Sequence, residues 1–258
     1  MSLVSFLDNI HIQLRSVNFS NVQIPVFAPF DESTACGDYI YTEVERYANF
    51  TYEHGHIAFS GKVAESFIFL NHFHMHTVRI VNVTLTGLEC TGCSFANANS
   101  WLYFELRDCL FADNHLQAGF FLVVNPTEWL LPTYVRPVDV TPYMHRVNYI
   151  VSNCVFRHNS FATGSHFSFT FSGLMQNIHL SSLHFYSESS TLVVVVSTLP
   201  INKQRIKGSV YVPANTKLRI AFPPATVTLH TLEIVNCTSP RLGHIYLYQI
   251  PYVRVMWR

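Results

Sequence analysis

Apolar residues in this chain recur in an eight-position phrase: apolar, any, apolar, two residues of break, apolar, any, apolar. "FELRDCLFADN" carries it from Phe104 to Phe111, and "YIVSNCVFRHN" repeats it from Tyr149 to Phe156. Further copies run through Ile12, Leu14, Val17 and Phe19, and through Val78, Ile80, Val83 and Leu85. Three more follow: Ile178, Leu180, Leu183 and Phe185; Val227, Leu229, Leu232 and Ile234; Ile245, Leu247, Ile250 and Tyr252. Alternation on each side of the break predicts two short strands with one buried face each. The break shifts the phase by one, so a straight strand would throw half of these side chains into water. A sharp corner at the break returns both halves to one interior.

The corner residues fit that reading. The second break position holds Ser16, Asn82, Asp108, Asn153, Ser182, Thr231 and Gln249, all polar. Asn and Asp tolerate the left-handed conformation that a tight bend needs. Two residues past each closing apolar position stand Asn21, Gly87, Asp113, His158, Ser187 and Asn236, which predict a second row of turns. The copies are spaced at multiples of roughly 23 residues, a period that signals a solenoid. Weaker copies are expected within "YIYTEVERYANFTY", "SFIFLNHFHM", "FFLVVN" and "GSVYVP". The expected fold is all-β: a parallel β-helix of roughly ten to eleven coils, forming a single domain over residues 1–258. A β-sandwich of hairpins would also alternate, but it calls for Asn-Gly or Asp-Gly turns. Neither dipeptide occurs.

"NCVFRHN", "DCLFADN" and "SVNFSN" resemble the repeats of right-handed parallel β-helix proteins of the pectate-lyase-like superfamily. The resemblance covers most of Ile10 to Tyr252 and implies a right-handed solenoid. That superfamily includes polysaccharide lyases, glycoside hydrolases, viral spike and capsid proteins, and non-catalytic surface proteins, so the fold alone does not assign an activity. "RIK" (Arg205 to Lys207) is similar to one short motif of polygalacturonase-like hydrolases; their N-T-D, D-D and G-H-G motifs are absent.

Composition narrows the partners. Charged residues are 12% of the chain, about half the usual ~25% of soluble domains. The formal net charge is zero, so no electrostatic footprint for nucleic acid is expected. The longest apolar runs, "GFFLVV" and "LVVVV", fall far short of the ~20 residues of a membrane-spanning helix. "MSLVSFLDN" lacks the basic start of a signal peptide.

Candidate chemistry is sparse. Cys109 and Cys154 share one inward phrase position with Leu183 and Leu232, and so read as small buried apolar residues. "CTGC" (Cys90 to Cys93) has half the spacing of a zinc site and no second half, which favours a surface turn with a local disulfide. His72, His74 and His76 in "NHFHMH" would share one face of a strand, and two of them could ligate a metal with a third group from a neighbouring strand. Sugar-cleaving chemistry needs paired carboxylates. Glu43 and Glu45 are the one same-face acidic pair on a possible strand, and Asp31 and Glu32 sit in a loop. No catalytic residues and no cofactor are assigned.

Asn18, Asn49, Asn82 and Asn236 begin N-glycosylation sequons. The Pro-rich stretch 126–142 with Trp129, and the stretch 199–209 with Lys203, Arg205 and Lys207, read as loop excursions and candidate binding groups. Ile150, Leu110 and Val155 are expected to form an apolar patch on the outside of the rod. "VRVMWR" continues a strand-like pattern to Arg258, which suggests a segment of a longer rod, a homo-oligomer, or a partner on the end. The functional expectation is a non-catalytic surface or scaffold module, extracellular or on a cell surface, that binds a protein partner or a glycan. The alternatives are a carbohydrate-active enzyme and a viral spike or capsid component of the same fold.

Overall fold

The computed structural model describes residues 4–5, 11–22, 27–28, 48–62, 68–72, 75–90, 94–99, 103–116, 119–125, 147–171, 176–197, 226–239, 243–248, 250 and 252–256. In chain order the strands are β1 (Val4–Ser5), β2 (His11–Arg15), β3 (Asn18–Val22), β4 (Phe27–Ala28), β5 (Ala48–Lys62), β6 (Ile68–His72) and β7 (Met75–Cys90). Next come β8 (Ser94–Asn99), β9 (Tyr103–Arg107), β10 (Leu110–Ala112), β11 (His115–Leu116), β12 (Gly119–Asn125) and β13 (Val147–Arg157). The last are β14 (Ser160–Phe171), β15 (Gln176–Tyr186), β16 (Ser189–Ser197), β17 (Thr226–Val235), β18 (Ile245–Tyr248) and β19 (Tyr252–Met256). No helix occurs among the described residues. Every strand pairing among them is parallel. All strands except β1 and β4 join one extended sheet network.

The phrase sets the register. Ile12, Phe50, Val78, Phe104, Tyr149, Ile178, Val227 and Val253 form one column of cross-strand partners. Phe19, Ile57, Leu85, Phe111, Phe156, Phe185 and Ile234 form a second. Between the two, the chain bends through Ser16, His54, Asn82, Asp108, Asn153, Ser182 and Thr231, all with φ of 52–56°. A second row of positive φ follows at Asn21, Gly87, Asp113, His158, Ser187 and Asn236. A third group of strands (β6, β8, β12, the second part of β14, β16 and β18) then runs in parallel, with Leu70, Ala96, Phe121, Phe167, Val193 and Ile245 in one column. The left-handed conformation costs ~1–2 kcal/mol for most L-residues and least for Asn and Asp, which accounts for Asn21, Asn82, Asp108, Asp113, Asn153 and Asn236 at these bends.

Three expectations are corrected. Direct pairing joins Asp108 to Asn153 across 45 residues and His184 to Glu233 across 49, so each of these spacings is a single lap. Laps of 26, 28 and 29 residues are the shorter form. Among the described residues the first column therefore has eight rungs; 126–146 and 198–225, with the two expected excursions, lie outside the described residues. The weaker copy expected within "YIYTEVERYANFTY" is met at the end of that stretch and runs on past it: β5 carries a lap as Phe50, Tyr52, Gly55 and Ile57, and residues 39–47 lie outside the described residues. Gly55 breaks the apolar pattern because a Cβ there would sit 2.2 Å from the Tyr52 ring. That ring fills the space, and its hydroxyl donates to the Val17 carbonyl at 2.8 Å. "SFIFLNHFHM" and "FFLVVN" supply β6 and β12 to the third strand group instead of extra phrases, and "GSVYVP" lies outside the described residues. The seventh phrase is also displaced: Ile245 and Leu247 pair with Val193 and Val195 in the third group, while Val253 and Val255 continue the first columns.

One core runs through all of the columns. Repetition places rings over rings: Phe111, Phe156 and Phe185 stack at 5.3 and 5.0 Å, inclined by 15° and 14°. Each such side chain contributes about 1.5–3 kcal/mol by leaving water, and each ring pair about 0.5–1.5 kcal/mol more. Cys109 and Cys154 are buried free thiols, as their phrase position requires. They donate to the Arg107 and Ser152 carbonyls at 3.1 and 3.2 Å. Burial, then contact with Cys109, pushes the Cys154 thiol well above its ordinary value.

Candidate functional site

Outward residues of the first column group form an ion-pair ladder. Arg79 Nε donates to Glu105 Oε2 at 2.8 Å, and Arg79 also lies 3.7 Å from Glu53. Arg107 approaches Glu105 at 3.6 Å and Asp108 at 3.4 Å, and the Tyr103 hydroxyl donates to Glu105 at 3.2 Å. Parallel register creates the cluster: Arg79 pairs with Glu105, and Val81, the neighbour of Glu53, pairs with Arg107. The hydrogen bond to Glu105 holds the Arg79 guanidinium still more firmly charged, and burial raises the Tyr103 phenol. Glu53 and Glu105 thus lie on either side of one guanidinium. An inverting glycosidase keeps its two carboxyls ~6.5–9.5 Å apart with a water between them; here Arg79 pairs with both carboxylates.

The outer face of the second column group holds another cluster. His184 Nδ1 lies 2.6 Å from Glu233 Oε2, and the Tyr186 hydroxyl donates to the same oxygen at 2.7 Å. These contacts, Tyr186 first and His184 next, hold the Glu233 carboxyl below its usual value, and Tyr186 is raised in return. Leu110 and Val155 are half-buried partners on this face. Ile150 lies across the corner between Glu105 and His179, so the expected three-residue patch is split.

A third set of polar groups is internal. Asn114, Asn159 and Glu188 occupy successive rungs after the second bend and are almost fully buried. Asn159 Oδ1 accepts from Asn114 N and Nδ2 at 3.1 and 2.9 Å. Asn159 Nδ2 donates to Phe111 O and Glu188 Oε1 at 3.0 and 3.1 Å. Glu188 Oε2 lies 2.6 Å from His166 Nε2, whose Nδ1 lies 3.2 Å from Ser190 Oγ. Serine, imidazole and carboxylate are connected as in a nucleophile–base relay. Yet His166 has no exposed surface, and the rings of Phe120, Phe156, Phe161 and Phe185 box it in at 4.8–5.7 Å. No substrate reaches it, and the relay satisfies core polar groups. Sequence reasoning missed this ladder, although both opening phrases close on its members, Asn114 and Asn159.

The sequence-derived site residues fall only in part within the described residues. His72 ends β6 and His76 lies in β7, which belong to different strand groups, and the side chains of the expected metal site lie outside the described set. His74 lies outside the described residues, as do Trp129, Lys203, Arg205, Lys207, Asp31, Glu32, Glu43 and Glu45. Among the described residues, no three His, Cys, Asp or Glu side chains are grouped to hold a metal ion. Asn18, Asn82 and Asn236 are exposed, the last two at bends, and Asn49 is half-buried. Cys90 is disulfide-bonded to a residue outside the described set. No described helix is long and apolar enough to cross a membrane.

No protein-family model matches the chain, and comparison with curated proteins and with solved structures finds no significant match.

Proposed function

We propose that the chain is a right-handed parallel β-helix serving as a non-catalytic surface or scaffold module, which binds a protein partner or a glycan along its sides. Parallel register between successive laps supports the β-helix, with each lap one coil. Right-handedness follows from the near-universal hand of parallel crossovers. The observation that supports the function is the engagement of five of the six outward carboxylates among the described residues. Glu53, Glu105, Asp108, Asp113 and Glu233 each lie beside a cation or an imidazole, while the exposed Glu89 stands apart from any such pair. Acid–base catalysis on such a rod would need a carboxylate free to exchange protons with a sugar. The Cys90 disulfide and three exposed sequons support an extracellular or cell-surface setting.

The test is incubation of the purified protein with acidic and neutral polysaccharides, assayed for reducing ends and for unsaturated products, in parallel with a glycan-binding array. The expected outcome is no turnover with any of them. Turnover that disappears in Glu105→Gln would replace this reading with the enzyme.

A further inference from the structure

Two of the sequons lie in inner laps, each with a described lap below and above, and the fold places them oppositely. Asn49 stands within β5, between His11 of β2 and Thr77 of β7, and its side-chain carbonyl oxygen is buried. Asn82 stands at the first bend, exposed, with φ 52°. Its Nδ2 lies 2.8 Å from His54 Nδ1 of the lap below. Thr84, the third residue of this sequon, points outward from the second column group, and Leu110 and Val155 follow it on the next two rungs. All three are half-buried. Two apolar side chains on an outer strand face therefore start beside a glycosylation acceptor.

We infer that Asn82 carries an N-linked oligosaccharide that lies over Leu110 and Val155, and that Asn49 stays unmodified. The inference rests on the extracellular setting proposed above. In the transfer, Asn82 Nδ2 displaces the diphosphate of a lipid-linked oligosaccharide from the anomeric carbon. A C–N bond forms, a C–O bond breaks, and the nitrogen gives up one proton and keeps one N–H. That N–H is still available to His54 Nδ1. A bulky group at this bend projects into water and disturbs no rung. The same group on Asn49 would pull a buried oxygen out of a ladder paired on both sides.

The direction of the sugar follows from what flanks the bend. On one side Arg107 and Asp108 pair at 3.4 Å, and Arg79 and Glu105 lie beyond them. Covering those groups would strip charges of water. On the other side Leu110 and Val155 gain by leaving water, and a pyranose ring presents an apolar C–H face to them. The oligosaccharide thus covers the second column group and leaves the Arg79 face bare.

The full chain, secreted from cultured animal cells behind an added leader, tests the site by glycopeptide mapping. Asn82 should be occupied and Asn49 bare. Thr84→Ala should remove the Asn82 glycan while leaving Asn82 itself at its bend, and Thr84→Ser should retain it. Covering is read from the rate at which a maleimide labels Leu110→Cys, followed on its own peptide. Labelling should be at least fivefold slower beside the native Thr84 or Thr84→Ser than beside Thr84→Ala. Amidase release of the glycan from the Leu110→Cys protein should give the same acceleration, free of any effect of the alanine. His179→Cys, outward on the first column group, should label at one rate throughout. A bare Asn82 or an occupied Asn49 overturns the site; equal Leu110→Cys rates with and without the glycan overturn the covering. The functional reading is judged separately: polysaccharide turnover by the glycosylated protein sinks the non-catalytic module and leaves the Asn82 glycan standing.

Discussion

Replacing Asn159 by Ala tests the internal ladder most directly. The side chain makes four hydrogen bonds in a site 1% exposed. Its loss strips the buried Asn114 N–H and the Phe111 carbonyl of a partner. Each buried polar group left short costs about 1–3 kcal/mol, so the two together put the expected loss near 4 kcal/mol. That is a large share of the roughly 5–15 kcal/mol by which a folded domain exceeds its unfolded chain. The assay is equilibrium unfolding in guanidinium, followed by circular dichroism. Asn153→Ala is the control: exposed, at φ 53°, with one 3.2 Å bond to Asp108. It should lose about 1 kcal/mol, from the left-handed backbone alone. Asn159→Asp sets a second carboxylate 3.1 Å from Glu188 Oε1, and should be worse than Ala at neutral pH and partly relieved by acid. If Asn159→Ala costs no more than Asn153→Ala, the internal ladder does not stabilise the fold and the reasoning is wrong.

Burial and the raised Cys154 thiol predict that Cys109 and Cys154 resist a thiol-specific reagent at mildly alkaline pH and react once guanidinium unfolds the chain; rapid native labelling of either would contradict their core placement. Glu233 has a folded-state value below its ordinary 4.5, so its contribution is fully present above that value and is lost as pH falls through the lowered one. An NMR titration should find the Glu233 carboxyl inflecting below exposed glutamates, and Tyr186→Phe should move it back up; an inflection at the ordinary value refutes the Tyr186 and His184 hydrogen bonds.

The eight-position phrase carried much of the fold. Asn82, Asp108 and Asn153 were legible as bends because the phase shift demands a corner and few residues bend left-handed cheaply. The β5 lap was legible only in its first half, Phe50 and Tyr52, because Gly55 yields its volume to Tyr52 and erases the apolar letter that marks the second strand. The lap count failed for a related reason. Closing entropy rises slowly with loop length, so a 45-residue lap and two shorter ones look alike in spacing. Of the outward clusters, Arg79 and Glu105 were visible as successive outward positions, but Glu53 lies just past the stretch in which the weaker copy was expected. Glu188 and His166 carried no signal, since polar letters in strands normally mark the outside, and only their hydrogen bonds to Asn159 and Ser190 allow them within.

The unequal laps have a practical consequence. Extending a lap from 29 to 49 residues adds only about 0.5 kcal/mol of closure cost, because both ends are anchored in rungs whose registry does not depend on what lies between. The junctions after Asn125 and Ser197 are therefore grafting positions: a foreign peptide or a small domain spliced there would be carried by a scaffold that keeps its melting temperature.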